Sequence, residues 1–175
     1  VSWEEVIEAT FSALGAGEPL SIEVVAAEAG VARNAVLDHF PTVQRLARAV
    51  VDRLVDQWEG ELLSLVVEPS TTTARLRAYV VLALNADLGP ADLAVIADAG
   101  LRRELREQWT RRLDAWLSTA ARAGHQGPLA AARLIADGAW LNRALETSTL
   151  DALDRAHVLE IALALIEEGE RVTTS

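Results

Sequence analysis

Apolar residues recur at helical spacing along almost the whole chain, and the breaks between the runs divide it into about nine helices. Ser2 and Glu5 have the spacing of a capping box, and Val6, Ile7, Ala9, Thr10, Ala13 and Leu14 follow on one face. Gly15, Gly17 and Pro19 end that helix. Ser21 can cap a second helix at Ile22, with Val24, Val25 and Ala29 inward and Glu23 and Glu28 toward water. Gly30 supplies the positive φ that a tight turn between crossing helices needs, and Val31 fills the angle between them. A third short helix runs from about Ala32 to Asp38, with Val36 and Phe40 facing the core. Pro41 stops it. Thr42 caps a longer fourth helix through Val43, Leu46, Val50, Leu54 and Trp58.

Further on, EPSTTT at 68–73 is a break with Thr71 among its caps, followed by a helix over about 72–87. LGPAD at 88–92 breaks the chain again, with Pro90 placed for a first helical turn. Helices are then expected over about 91–99, 101–123, 129–146 and 151–169, with Gly100, Gly124 and HQGP at 125–128 between them. Heavy Ala and Leu content supports helix throughout. The fold class is therefore all-α, with an N-terminal three-helix domain at 1–45 and a helical bundle at 46–175.

The second and third helices with the turn at Gly30 read as a helix-turn-helix, the unit that lays a helix in the DNA major groove. The string VIEATFSAL, the Ser21-Ile22 start, AEAGVARNAVLDHFP at 27–41 and Leu46 together resemble the TetR-type transcriptional regulators. The first forty-six residues match in order. The resemblance implies a small DNA-binding domain and a larger helical domain that dimerises and binds a small-molecule effector. It implies repression that the effector relieves. Carried onto this chain, the DNA-binding positions are Arg33, Asn34, Ala35, Leu37, His39 and Thr42. Family members carry Ser or Thr at Ala32 and at Ala35, Tyr at Leu37, and Lys at Val43, so four groups that donate hydrogen bonds or charge are absent. Arg33 can bond a guanine edge or a phosphate, and Asn34 an adenine edge. His39 either meets a phosphate or packs beside Phe40.

Charge bears on the same point. Nine carboxylates against four arginines between Val1 and Asp56 leave a charge of −5 on the segment that would approach DNA. Phosphate neutralisation carries much of DNA affinity, so this balance opposes it, and Asp38 lies within the third helix itself. A basic arm ahead of Val1 would offset the deficit. Two functions follow: a repressor released by a small molecule, or a degenerate helix-turn-helix protein that acts as a ligand-binding or protein-interaction module without reading DNA.

The last two helices speak to assembly. In VLEIALALI at 158–166 only Glu160 is polar, and in LAAARLIADGAWL at 129–141 only Arg133 and Asp137 are charged. A helix apolar on most of its circumference must be covered on more than one side. A homodimer is expected across Leu134, Gly138, Leu141, Val158, Ile161 and Leu165, with two helices of each subunit forming a four-helix bundle. Trp109, Leu113 and Trp116 lie on one stripe, and Tyr79 and Trp140 can close a space beside them. Asn85 and Asp137 are polar residues within apolar helices. This set is the candidate effector pocket, with plain core filling as the other reading of the tryptophans. Arg102, Arg103, Arg106, Arg111 and Arg112 alternate with acids and read as a solvated, ion-paired face.

Composition narrows the rest. The chain has 175 residues and a net charge of −10, and no cysteine for disulfide or thiol chemistry. No apolar run reaches the roughly 20 residues of a membrane span, and the acidic amphipathic start is unlike a signal peptide, so a cytoplasmic location without membrane contact is expected. His39, His125 and His157 have no metal-ligand spacing, and there is no phosphate loop or nucleophile elbow. Neither an enzyme activity, a metal site nor a cofactor is expected.

Overall fold

The computed structural model describes residues 1–67, 71–85, 88–114, 117, 127–144, 147 and 150–173. Among them are nine α-helices and no strand: α1 (Trp3–Gly15), α2 (Ile22–Glu28), α3 (Arg33–His39), α4 (Val43–Ser64), α5 (Thr72–Asn85), α6 (Pro90–Ala97), α7 (Ala99–Trp109), α8 (Gly127–Ala144) and α9 (Ala152–Thr173). A π-helical turn, Thr110–Asp114, follows α7 directly. The single helix expected over 101–123 is thus interrupted after its ninth residue, and most of its remainder lies outside the described residues.

Two compact units make up the chain: Val1–Asp56 with Leu88–Gln108, and Gln57–Asp87 with Trp109–Ser175. The first unit extends beyond the 1–45 domain expected from the pattern: it takes more of α4, all of α6 and α7 as far as Gln108.

In the first unit local chemistry sets the helix ends. Ser2 Oγ accepts from the Glu5 amide at 3.1 Å while Glu5 Oε2 accepts from the Ser2 amide at 2.6 Å, completing the capping box. Ser21 Oγ accepts from the Val24 amide at 3.1 Å, and Thr42 Oγ1 from the Arg45 amide at 3.2 Å. Thr10, the one buried hydroxyl of α1, donates to the Val6 carbonyl at 2.7 Å. The buried side of α2 is Ile22, Val25 and Ala26. Val24 and Ala29, expected inward, are only half-buried: the i, i+3, i+4 stripe starts at Ile22, two residues before Val24, and Ala29 is the cap residue at its far end. Gly30 has φ +66° and turns the chain into α3, where Val36 and Phe40 are buried. α6 opens with Pro90 at its first turn and packs on α1.

In the second unit α5 packs against α8 and α9, which also pack on each other. Ala83, Ala132, Ala136 and Ala162 are fully buried, and these small residues let the helices close together. Arg143 Nη2 donates to the Leu84 carbonyl at 2.7 Å and ties α8 to the end of α5. Gly169 of α9 is a position where glycine is required by space. A Cβ there would stand 2.5 Å from Leu129 Cδ2 and 2.6 Å from its Cγ, and Leu129 is itself buried. Overpacking of this kind costs about 1–3 kcal/mol, against a helix-propensity gain of at most about 1 kcal/mol. Gly169→Ala is expected to lower the thermal midpoint followed by circular dichroism. Gly60→Ala, at a helical glycine with no atom within 4 Å of the new Cβ, is expected to raise it or leave it unchanged. No single helix among the described residues is long and apolar enough to cross a membrane.

Candidate functional site

The outward side of α3 is built by what its inward side must do. With Val36 and Phe40 committed to the core, Arg33, Asn34, Asp38 and His39 are left exposed, and Ala35 and Leu37 lie half-buried between them. Arg33 and Asn34 open the helix and face solvent, as a reading helix requires. Arg33 Nε donates to Glu23 Oε1 of α2 at 2.7 Å, and both side chains are more than half exposed. The Arg33 guanidinium holds the Glu23 carboxyl below its usual range. His39 packs beside Phe40, one of its two expected positions. Its ring lies 6.4 Å from that of Phe40, and Nε2 is 3.0 Å from the Val1 carbonyl oxygen, although the side chain is exposed. Trp3 packs 6.0 Å from Phe40 on the same side. Thr42 spends its hydroxyl oxygen on the cap of α4, and Val43 is half-buried behind it.

In the second unit Tyr79, Trp109, Asp137 and Trp140 come together, and Trp58 of α4 joins them. Ring centroids are 5.7 Å apart for Tyr79 and Trp109, 6.4 Å for Trp58 and Trp109, and 5.4 Å for Trp58 and Trp140. Four helices therefore contribute to one aromatic cluster. The Tyr79 hydroxyl donates to Asp137 Oδ1 at 2.5 Å. Arg133 bonds Asp114 and places Nε 3.7 Å from Asp137 Oδ2. Burial pushes the Tyr79 hydroxyl well above its ordinary pKa, and the Asp137 charge adds to it. Burial alone would lower the Arg133 guanidinium, but Asp114 and Asp137 outweigh it and hold it above its usual value. The Trp140 Nε1 atom is buried with no hydrogen-bond partner among the described residues. An orphaned indole N–H of this kind is a donor waiting for an acceptor.

Several expected site residues fall elsewhere. Asn85 is exposed at the end of α5, where its Nδ2 donates to the Val81 carbonyl at 2.9 Å, so it does not join the cluster. Its amide is spent on its own helix, one turn back. Leu113 is buried in the π-helical turn. Trp116 lies outside the described residues. Arg102, Arg103, Arg106 and Arg111 are exposed, whereas Arg112 turns inward and pairs with Glu59. Trp58 was signalled by its register in the apolar run of α4. The contact between Glu23 and Arg33 had no such signal, because it spans ten residues and the turn at Gly30.

α8 and α9 each leave an apolar stripe uncovered. On α8, Leu134 is 69% and Leu141 52% exposed, with half-buried Gly138 between them at i, i+4, i+7 spacing. A Cβ on Gly138 would meet nothing within 4 Å. On α9, Leu153 is 65% and Ile161 57% exposed, with half-buried Val158 and Leu165 alongside. Scattered exposed leucines are ordinary, whereas a contiguous apolar patch is characteristic of interaction sites in general.

Comparison with known proteins agrees with this architecture. No curated protein matches the chain. A transcriptional regulator from Rhodococcus sp. Rha1 superposes with a TM-score of 0.65 at 22% identity, covering 97% of each chain. A TetR-family member from Streptomyces coelicolor gives 0.65 at 21%, covering 93% of this chain and 96% of its own. The multidrug binding protein EbrR, complexed with imidazole, gives 0.61 at 22%, covering 93% and 88%. At these identities the likeness is one of fold. The family model for the tetracyclin repressor-like C-terminal domain matches residues 73–167, more than half of the chain. The chain therefore belongs to the TetR family of transcriptional regulators.

Proposed function

We propose that this protein is a DNA-binding transcriptional repressor that acts as a homodimer and is released by a small molecule. The observation that carries the reading is the exposure of Arg33 and Asn34 on the first turn of a helix whose other side is locked into the core by Val36 and Phe40. Those two side chains have the donors and acceptors to read base edges, guanine for the arginine and adenine for the asparagine. The uncovered stripes on α8 and α9 are the proposed seam of the dimer, which two reading helices about 34–36 Å apart would require. The proposed effector site is the cluster of Trp58, Tyr79, Trp109 and Trp140. The multidrug binding protein among the similar folds, complexed with imidazole, is in keeping with a small-molecule effector, and the buried Trp140 N–H would favour one that carries a hydrogen-bond acceptor. Asp137 is already engaged by Tyr79 and Arg133, so the effector need not be a cation. α4 is uninterrupted from Leu46 of the first unit to Trp58 of the second, and a ligand that moves Trp58 acts on the helix that follows the reading head. Such coupling requires the ligand to prefer one arrangement over another.

Selection of binding sites from a random-sequence duplex library, at salt between about 50 and 200 mM, tests the reading. A two-fold symmetric site with a clear salt slope is expected. Arg33→Ala should weaken that site by about 5- to 150-fold for each half-site, the value of one good bidentate base contact, and by more for the whole two-fold site. If no sequence is enriched at the lowest salt, the protein does not read DNA.

A further inference from the structure

The ion pair between Arg33 and Glu23 carries an inference that rests on the DNA-binding reading and says what Arg33 reads. Arg33 is the only arginine or lysine on α3, and the His39 ring already meets the Val1 carbonyl. Its neighbours on the outward side bring no further charge, and Asp38 brings the wrong one. The contact to Glu23 is made through Nε, and among the described residues Arg33 makes no other hydrogen bond or ion pair. Its two terminal nitrogens therefore keep their donors.

That geometry suits one partner better than another. A phosphate is held mainly by net charge, and a guanidinium paired with a carboxylate has little to offer. The carboxylate itself repels the phosphate. A guanine edge is neutral and presents two acceptors, O6 and N7, that need a fork of donors rather than charge. The planar end of an arginine fixed at Nε is such a fork, with its orientation limited and its rotamers restricted. We infer that Glu23 is a positioning residue that aims Arg33 at a guanine in the major groove and turns it away from phosphate. The first fifty-six residues, with charge −5, would accordingly rely on base contact more than on backbone attraction.

The test uses the full chain and its Glu23→Ala variant, each selected against a random-sequence duplex library and then titrated with the unselected library by fluorescence anisotropy. Circular dichroism checks that both are equally helical. If the pair works as inferred, the two readouts move in opposite directions. The preference for guanine at one position of each half-site falls about tenfold in the variant. Affinity for the unselected library rises about threefold, and the salt slope steepens by about two units, as one arginine per subunit becomes free to meet phosphate. Glu23→Gln, which keeps an acceptor for Nε, retains more of the guanine preference than Glu23→Ala. A variant that loses both affinities together shows Glu23 to be merely structural and overturns the inference. So does a variant whose guanine preference is unchanged. A wild-type chain that enriches no sequence overturns the DNA-binding reading and the inference with it, whereas an enriched site without a Glu23-dependent guanine overturns the inference alone.

Discussion

The double variant Leu134→Glu, Ile161→Glu is expected to be a monomer at micromolar concentration, where the wild type is expected to give a dimer mass in light scattering. Both residues are more than half exposed in the single chain, so neither substitution should cost much folding stability. Their effect falls on the seam. In a two-fold interface each substitution is present twice, and like charges meet or are buried without partners. Central apolar anchors are worth about 2 kcal/mol or more apiece, so the dissociation constant should rise by at least about a hundredfold. Leu63→Glu is the control. Leu63 is 45% exposed on α4, a helix that contributes to neither stripe, and its replacement should leave the mass unchanged. The double variant should also lose most of its affinity for any symmetric DNA site, because each reading helix then binds alone. A monomeric wild type would remove the proposed seam, and with it the pairing of reading helices on which a repressor of this design depends.

The parts of this fold legible in the sequence are those that short-range chemistry decides. Ser2 with Glu5, Ser21, Thr42 and Thr71 all accept from the backbone amides their spacing predicts, and Gly30 takes the positive φ its turn needs. Val36 and the cap residue Phe40 are buried because they stand one turn apart on the inward side of a short helix. The illegible parts depend on residues far apart in the chain. Tyr79 and Asp137 are separated by fifty-eight positions, and Arg112 and Glu59 by fifty-three. No periodicity announces either pair. Asn85 looked like a pocket residue because it is polar in an apolar run, yet the end of a helix offers it a carbonyl of its own. The π-helical turn at Thr110–Asp114 follows the same rule. An extra residue in a turn shifts every later side chain, and α-helical propensity alone gives no reason to place it there.

Alkaline titration is expected to show the single tyrosine of the chain holding its proton until the protein unfolds. Tyr79 is 1% exposed and gives its hydroxyl proton to the Asp137 carboxylate. Ionising it would bury a phenolate against that carboxylate, and burial itself already opposes the charge, so its folded pKa lies well above the ordinary value. In the unfolded chain the phenol ionises near pH 10. A folded pKa above the unfolded one means that this group's contribution to stability is complete below about pH 10 and is lost as pH rises beyond it. The composition makes the measurement clean, since every one of the sixteen basic side chains is arginine and there is no cysteine. Between about pH 9 and pH 12 no other side chain titrates. The phenolate absorbance should therefore appear in one step together with the loss of helical circular dichroism. Tyr79→Phe should make stability nearly independent of pH across that window. At neutral pH it should cost about 1–3 kcal/mol, because Asp137 loses its donor and keeps only the more distant Arg133. A tyrosine that ionised near pH 10 with its helices intact would mean that the hydroxyl is open to water. The link from α5 to α8 would then be absent in solution, and the aromatic cluster proposed to hold the effector would lack the polar tie that closes it.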